Sequence, residues 1–240
     1  MSPVITPEWT SRKCIEEIRR RTDTILLSFS RGKDSIAAWL EVRKYFPRVI
    51  PFYCYRIPGL GFVERSLAYY EKFFGCRIWQ LPHPSTYNQL RHLMFQPPEN
   101  CSIIEAAELE HFSYEDLEDS LRTDLHLGPE VYTATGVRSA DSQRRALALR
   151  RFGPINTRKK KFHPIFSWNK DDVIRSMEQA GVQLPVDYLM FGRSFDGINA
   201  QFLEPLKRHF PEDYAKVIRL FPLAELELLR WQYAREGVAA

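Results

Sequence analysis

A short apolar segment that leads into a glycine-containing turn and then a helix constrains the fold of this chain most strongly. Residues 24–30 read Thr-Ile-Leu-Leu-Ser-Phe-Ser, a bounded apolar run with the length of a buried strand. The turn Arg-Gly-Lys-Asp follows at residues 31–34, and residues 35–45 carry apolar side chains at helical spacing until Pro47. A buried strand followed at once by a helix is typical of a parallel sheet covered by helices.

The alternation of strand and helix continues along the chain and predicts an α/β fold. We expect a five-stranded parallel sheet with helices on both faces, in a domain of residues 1–198, and a helical extension over 199–240. The predicted strands are 24–30, 49–55, 77–81, 131–136 and 162–166. The predicted helices are 11–22, 35–45, 63–74, 141–151, 169–180 (capped by Trp168 or Asn169 and ended by Gly181), a less regular helical region over 87–125, and 199–236 with breaks near Pro211 and Pro222.

Composition excludes several classes of protein. With 44% hydrophobic and 27% charged residues, the chain has the balance of an ordinary globular protein. No apolar run approaches the roughly 20 residues that a membrane-spanning helix needs, and residues 1–10 lack the pattern of a secretion signal, so we expect a cytoplasmic protein without a membrane partner. The cysteines show no paired spacing typical of zinc or iron–sulfur sites and are expected to be free thiols: Cys14, Cys54, Cys76 and Cys101.

The turn after the first strand has the chemistry of a phosphate site. Backbone N–H groups and the helix dipole converge there, and Gly32 lets an anion approach closely. Asp34 would repel phosphate unless a cation intervenes, which predicts Mg²⁺ at Asp34. The spacing is not that of a Walker A loop, because Leu27 stands where its first glycine belongs. The predicted phosphate-binding residues of this segment are Ser28, Ser30, Arg31, Gly32, Lys33 and Ser35.

A second basic segment follows the fourth predicted strand. In a parallel sheet the carboxyl ends of neighbouring strands share one crevice, so this segment is expected to reach the same ligand. Gly136 would allow close backbone approach, and Arg138 and Arg145 would bind phosphate or sulfate through charge-assisted hydrogen bonds. Ser142 is placed to serve the start of the following helix. The alternative is a solvated basic helix face.

Three ordered segments together carry a resemblance to a known family. Ser-Arg-Gly-Lys-Asp-Ser at residues 30–35 resembles the SGGKDS loop of the PP-loop superfamily, and in particular of the phosphoadenosine phosphosulfate reductase family. Residues 136–145 resemble that family's GxRxxESxxR segment, with Asp141 in place of Glu, and residues 163–173 are similar to its PI-x-W-x-x-x-D-V stretch. Arg31 replaces the first of the two loop glycines, where it would either crowd the loop or add a charge to the phosphate site.

The resemblance implies an adenine nucleotide α-hydrolase-like fold that binds ATP or an adenylyl sulfate. It implies that the adenine lies near the end of the second strand, at Tyr53 and Cys54. It also implies catalytic roles for Lys33, Asp34 and Arg138, with ATP and Mg²⁺ as cofactors.

The sequence departs from the reductases of this family at a decisive position. Those enzymes use a cysteine nucleophile near the C-terminus, whereas the last cysteine here is Cys101. Without that thiolate, sulfur chemistry has no nucleophile. The departure favours a PP-loop enzyme that cleaves ATP between the α and β phosphates and adenylylates an acceptor.

Two alternatives stay open. One is a sulfonucleotide reductase whose thiol comes from a partner, or from Cys54. The other is a nucleotide- or nucleic-acid-binding protein with little catalysis, for which the basic residues of 150–161 and the interleaved Phe152 and Phe162 would contact a polynucleotide. The expected partners are an adenine nucleotide, a nucleic-acid acceptor or sulfur-donor protein, and a second copy of the chain; the acidic segment 105–124 is expected to face solvent or a partner.

Overall fold

The predicted alternation of strands and helices is present in the structure, a computed structural model that describes residues 9–237. Its strands form one six-stranded sheet in the order β3-β2-β1-β4-β6-β5. The strands are β1 Thr24–Ser28, β2 Arg48–Tyr55, β3 Trp79–Pro82, β4 Thr133–Ala134, β5 Ile155–Asn156 and β6 Lys161–Phe162.

The sheet is mostly parallel, but it is not the five-stranded parallel sheet that the sequence predicts. β1 pairs in parallel with β2 and β4, and β4 pairs in parallel with β6. The additional strand β5 pairs antiparallel with β6, with Ile155 opposite Phe162. A strand of two residues has no readable periodicity, so the sequence pattern does not reveal it.

The centre of the sheet is buried on both faces, as the apolar sequence of β1 predicts. Ile25, Leu26 and Leu27 each have 0% of their surface exposed. Successive side chains of a strand point to opposite faces, so both faces of β1 are covered.

The helices follow the predicted pattern with small shifts of their ends. Helix α8 begins after Asn169, whose side chain accepts a hydrogen bond from the Asp172 N–H at 2.9 Å, and it ends at Gly181 in the left-handed conformation. The short helix α9 was not predicted. The helices are α1 Ser11–Arg19, α2 Lys33–Val42, α3 Gly61–Phe74, α4 Pro84–Arg91, α5 Pro98–Ala106, α6 Tyr114–Asp124, α7 Gln143–Phe152, α8 Lys170–Ala180, α9 Asp187–Phe191, α10 Ala200–His209, α11 Pro211–Leu220 and α12 Glu225–Glu236, with 3-10 turns at Ser139–Asp141 and Pro222–Ala224.

The chain divides into two compact units. The first contains the described part of Met1–Tyr53, together with Tyr70–Gln80 and Tyr114–Leu184. The second contains Cys54–Tyr69, Leu81–Ser113 and the described part of Pro185–Ala240, so it includes the helices of the predicted C-terminal extension and two earlier segments.

The second unit has an aromatic core of its own. The Phe62 ring contacts the rings of Phe195 and Phe210 at centroid distances of 5.7 and 5.4 Å. The carboxylate of Asp213 accepts hydrogen bonds from the first N–H groups of α3, at Gly61 and Phe62. Within residues 9–237, none of the helices has the length and apolarity that crossing a membrane requires.

Candidate functional site

The strand order places a crevice at the carboxyl ends of β1 and β4. From β1 the chain proceeds outward through β2 and β3, then returns to the other side of β1 to form β4. Ligands of open α/β sheets bind at such a reversal of strand order, outside the carboxyl ends of the strands. The turn after β1 and the segment after β4 therefore meet at this point, and both belong to the first compact unit.

Hydroxyl groups brace the turn between β1 and α2. Ser35 Oγ donates to the carbonyl oxygen of Gly32 at 2.8 Å, and Ser30 Oγ lies 3.2 Å from Ser35 Oγ. The N–H of Gly32 donates to Ser30 Oγ at 3.3 Å, and Gly32 is the N-cap residue of α2. The shape of the turn is thus fixed by its own side chains, which is the preorganisation that anion binding at a helix N-terminus favours.

Arg31 is buried beneath this turn. It has 0% exposure, and its guanidinium lies over the Tyr53 ring at 5.2 Å from the centroid. Its φ of 62° is in the left-handed region, which costs a residue with a Cβ about 1–2 kcal/mol. The backbone at position 31 has a conformation that favours glycine, while the side chain extends into the interior against Tyr53.

Five charged side chains form a continuous series of ion pairs across the crevice. Asp34 joins Lys33 to Arg138, with Oδ2 2.6 Å from Lys33 Nζ and Oδ1 2.8 Å from Arg138 Nε. Asp141 joins Arg138 to Arg145, with Oδ1 2.7 Å from Arg138 Nη2 and Oδ2 2.6 Å from Arg145 Nη1. Three cationic side chains thus alternate with two carboxylates in this series.

Arg138 retains hydrogen-bonding capacity within this series of ion pairs. The residue is 4% exposed, and its Nη1 has no hydrogen-bond partner among residues 9–237. Its Nε is in ion-pair contact with Asp34 by distance, although the alignment is not that of a hydrogen bond. A buried charged donor without an acceptor is costly, so its presence calls for an explanation such as a ligand that supplies the acceptor.

Gly136 brings the end of β4 against the first turn of α2. A Cβ at this position would lie 2.7 Å from the carbonyl carbon of Asp34, and 2.8 Å from both the Asp34 carbonyl oxygen and the Ser35 nitrogen. Backbone atoms form all three contacts and have little room to move. A residue other than glycine would separate the two segments that carry the series of ion pairs.

The remaining predicted site residues lie at the margins of this crevice or outside the first unit. Ser142 is the N-cap residue of α7, and its Oγ accepts a hydrogen bond from the Arg145 N–H at 3.2 Å. Ser28 is the last residue of β1 and is half-buried. Tyr53 is buried beside Arg31, whereas Cys54 begins the second compact unit.

Thr135 and His163 form a pair that the sequence pattern does not predict. Thr135 Oγ1 lies 2.7 Å from His163 Nδ1, and the two residues follow β4 and β6. Burial, together with the charges of Lys161 and Arg145, lowers the pKa of His163 to about 4. The sequence predicts a strand over 162–166, which would include His163. In the structure β6 ends at Phe162, so His163 follows the strand at the carboxyl edge of the sheet.

Carboxylates of the acidic helix α6 form ion pairs with lysines of β6 and of the loop that precedes it. Glu115 Oε1 lies 2.8 Å from Lys161 Nζ and 3.2 Å from Lys159 Nζ, and Glu118 Oε1 lies 3.1 Å from Lys161 Nζ. The hydrogen bond from Lys161 is the main reason that the pKa of Glu115 falls to about 2, whereas burial raises the pKa of Glu118. Phe162, proposed from the sequence to contact a polynucleotide, is 0% exposed. Lys159 and Lys161 of the basic stretch are therefore matched by carboxylates of the same chain.

None of the four cysteines forms a disulfide within residues 9–237, and burial raises the pKa of Cys14 to about 12, so its thiol is not ionised at neutral pH. Cys54, Cys76 and Cys101 are half-buried. Within the described part of the chain, no three His, Cys, Asp or Glu side chains are grouped as a metal site.

No protein-family model matches this sequence, and a search of curated proteins finds no match either. The resemblance to the PP-loop family therefore rests on the three sequence segments themselves.

Proposed function

We propose that the crevice between β1 and β4 binds an adenine nucleotide, and that the protein cleaves ATP between its α and β phosphates and adenylylates an acceptor. The observation that carries the proposal is the buried Nη1 of Arg138, which has no acceptor among residues 9–237 and lies at the point where the strand order reverses. A phosphate oxygen would supply that acceptor.

The surrounding groups suit a polyphosphate. The turn ends at the N-terminus of α2, where backbone N–H groups and the helix dipole favour negative charge. Lys33 has a side chain that is 30% exposed, so its ammonium group has freedom to move from Asp34 to a phosphate. Arg138 would stabilise the charge that develops at the α phosphate.

Mg²⁺ fits this site at one oxygen atom. Arg138 contacts Asp34 Oδ1, and Lys33 contacts Oδ2, the oxygen that becomes free when Lys33 turns to a phosphate. One carboxylate oxygen combined with phosphate oxygens is a usual donor set for Mg²⁺ in nucleotide sites. When bound, the ion would neutralise part of the phosphate charge.

The proposed reaction is a substitution at the α phosphorus. The acceptor oxygen forms a bond to this phosphorus, the bond from phosphorus to the bridging oxygen of the β phosphate breaks, and pyrophosphate leaves with the electron pair. The acceptor loses its proton. With water as the acceptor, the products are AMP and pyrophosphate.

The test is product analysis with ATP labelled at the α phosphate, in the presence of Mg²⁺. We expect AMP and pyrophosphate; ADP as the only nucleotide product would contradict the mechanism.

Arg138→Lys keeps a positive charge but removes the Nη1 donor, and a charged hydrogen bond of about 1.5–3 kcal/mol corresponds to a roughly 10- to 100-fold loss of ATP affinity. Arg175→Lys, on the exposed face of α8, is the matched control. An adenylyl sulfate that binds more tightly than ATP would favour the sulfonucleotide alternative.

A polynucleotide acceptor is a second proposal, and helix α7 favours it. This helix starts beside Ser142 at the crevice and ends in the exposed Arg150 and Arg151 and in Phe152, which is 55% exposed. Arg151 lies 5.1 Å from the Phe152 ring centroid, a combination of charge and aromatic surface that suits a nucleic-acid strand. We expect binding to tRNA or DNA that weakens with salt and with the double change Arg150→Ala and Arg151→Ala. The absence of a gel shift at low salt would exclude it.

A further inference from the structure

His163 lies at the edge of the sheet that carries the proposed nucleotide site. The strands β1, β4 and β6 are adjacent and parallel, so their carboxyl ends share one edge. The turn of residues 29–32 follows β1, Thr135 and Gly136 follow β4, and His163 follows β6. All of these belong to the first compact unit.

The imidazole is held in a defined orientation. Its Nδ1 is 2.7 Å from Thr135 Oγ1, and Thr135 precedes Gly136, the residue whose Cα lies against the backbone of Asp34 and Ser35. A hydrogen bond at one ring nitrogen of a histidine fixes the ring and directs the other nitrogen toward its function. Nε2 is not used by the contact to Thr135.

Burial, and then the nearby positive charges, lower the pKa of His163 to about 4 and favour the neutral ring. Lys161, from β6, and Arg145, from α7, both lower its pKa in addition to the effect of burial. Glu115 and Glu118 of α6 pair with Lys161, and Asp141 pairs with Arg145. The Cys14 thiol of α1 lies 3.9 Å from the His163 carbonyl oxygen.

A bound polyphosphate would change this balance. Its negative charge beside Arg145 opposes one of the two cations that disfavour the imidazolium ion, so the affinity of His163 for a proton rises when the nucleotide binds. A general base is most effective when its pKa lies near the pH at which the enzyme works.

We infer that His163 is the general base of the proposed adenylyl transfer. Its Nε2 takes the proton of the acceptor O–H while the acceptor oxygen bonds to the α phosphorus and pyrophosphate leaves; the proton then passes from the imidazolium to solvent. The inference rests on the proposed function, and Thr135 acts as the positioning residue of this base.

The experiment compares AMP formation from ATP and Mg²⁺ by the wild type, His163→Ala and His163→Asn, with ATP affinity measured separately by calorimetry. Loss of a general base is expected to lower the rate by about 10²- to 10⁴-fold. The Kd for ATP should change less than about threefold, because the base does not contact the phosphates of bound ATP. Added imidazole is expected to restore part of the rate of His163→Ala. His111→Ala, at an exposed histidine of the second unit, is the control and should keep the wild-type rate.

The outcomes separate the two proposals. If the wild type forms no AMP, the proposed function fails and the role of His163 fails with it. If the wild type forms AMP and His163→Ala matches its rate, only the role of His163 is refuted. A lower rate without rescue by imidazole, together with a loss of ATP binding in His163→Asn, would also refute it and assign His163 a structural role.

Discussion

A single added methyl group at Gly136 tests the contact that brings β4 and α2 together. In Gly136→Ala the new Cβ would lie 2.7–2.8 Å from three backbone atoms of Asp34 and Ser35. Overpacking a filled site costs about 1–3 kcal/mol. Because the contacting atoms are backbone and belong to the first turn of α2, we expect a value near the upper end, about 3 kcal/mol.

Calorimetry and ATP binding measure the two consequences of this change. For a chain of this size, 1 kcal/mol corresponds to a shift in Tm of about 2–4 °C, so the expected loss is about 6–12 °C. Separation of Asp34 from Arg138 should also weaken ATP binding at least tenfold, about 1.4 kcal/mol.

Gly128→Ala is the matched control for Gly136→Ala. A Cβ at Gly128 meets no atom within 4 Å, and the φ of Gly128 is not in the left-handed region. The Tm and ATP affinity of this variant should stay near those of the wild type. If Gly136→Ala behaves like Gly128→Ala, the contact between the two segments is not as close as described, and the reasoning is refuted.

Three further predictions concern the interior and the pH dependence of the first unit. Arg31→Gly relieves about 1–2 kcal/mol of backbone strain, but it loses the contact with Tyr53, worth about 2 kcal/mol when desolvated, and the burial of three methylene groups at about 0.8 kcal/mol each. We expect the free energy of unfolding in urea to fall by about 2–3 kcal/mol, and a gain would contradict this. The pKa of His163 is lowered from 6.5 to about 4, so its neutral form contributes stability above pH 6.5 that is lost as the pH falls toward 4; the stability of His163→Asn should fall less over that interval. The pKa of Glu115 is lowered from 4.5 to about 2, chiefly by its hydrogen bond to Lys161, so its stabilisation is present above pH 4.5 and lost as the pH falls toward 2; an acid titration of Glu115→Gln that parallels the wild type would argue against this pairing.

The sequence predicts those parts of the fold that local patterns specify. The apolar run of β1, the turn before α2, and the caps of α8 at Asn169 and Gly181 all depend on neighbouring residues, and the structure contains each of them. The carboxyl-edge position of the basic segment also follows from the parallel alternation of strands.

Features that depend on distant pairing are not visible in the sequence. Strand β5 exists through its pairing with β6, and two residues carry no periodicity. The approach of His163 to Thr135 joins residues 28 positions apart, and it depends on where β6 ends. The pairing of Glu115 with Lys161 spans 46 positions, and each charge taken alone resembles a solvated surface residue. The orientation of Arg31 depends on the space beneath the loop, which the turn pattern does not specify.

The buried guanidinium of Arg31 links the end of β2 to the turn between β1 and α2. Its side chain contacts the Tyr53 ring, while its backbone forms the turn itself. A ligand group that shifts Tyr53 therefore also changes the free energy of the turn conformation. By thermodynamic reciprocity, an anion that stabilises the turn changes the affinity at Tyr53 by the same factor. If the crevice binds a nucleotide as proposed, Arg31 provides a physical route by which a base and its phosphates, offered as separate molecules, would bind cooperatively.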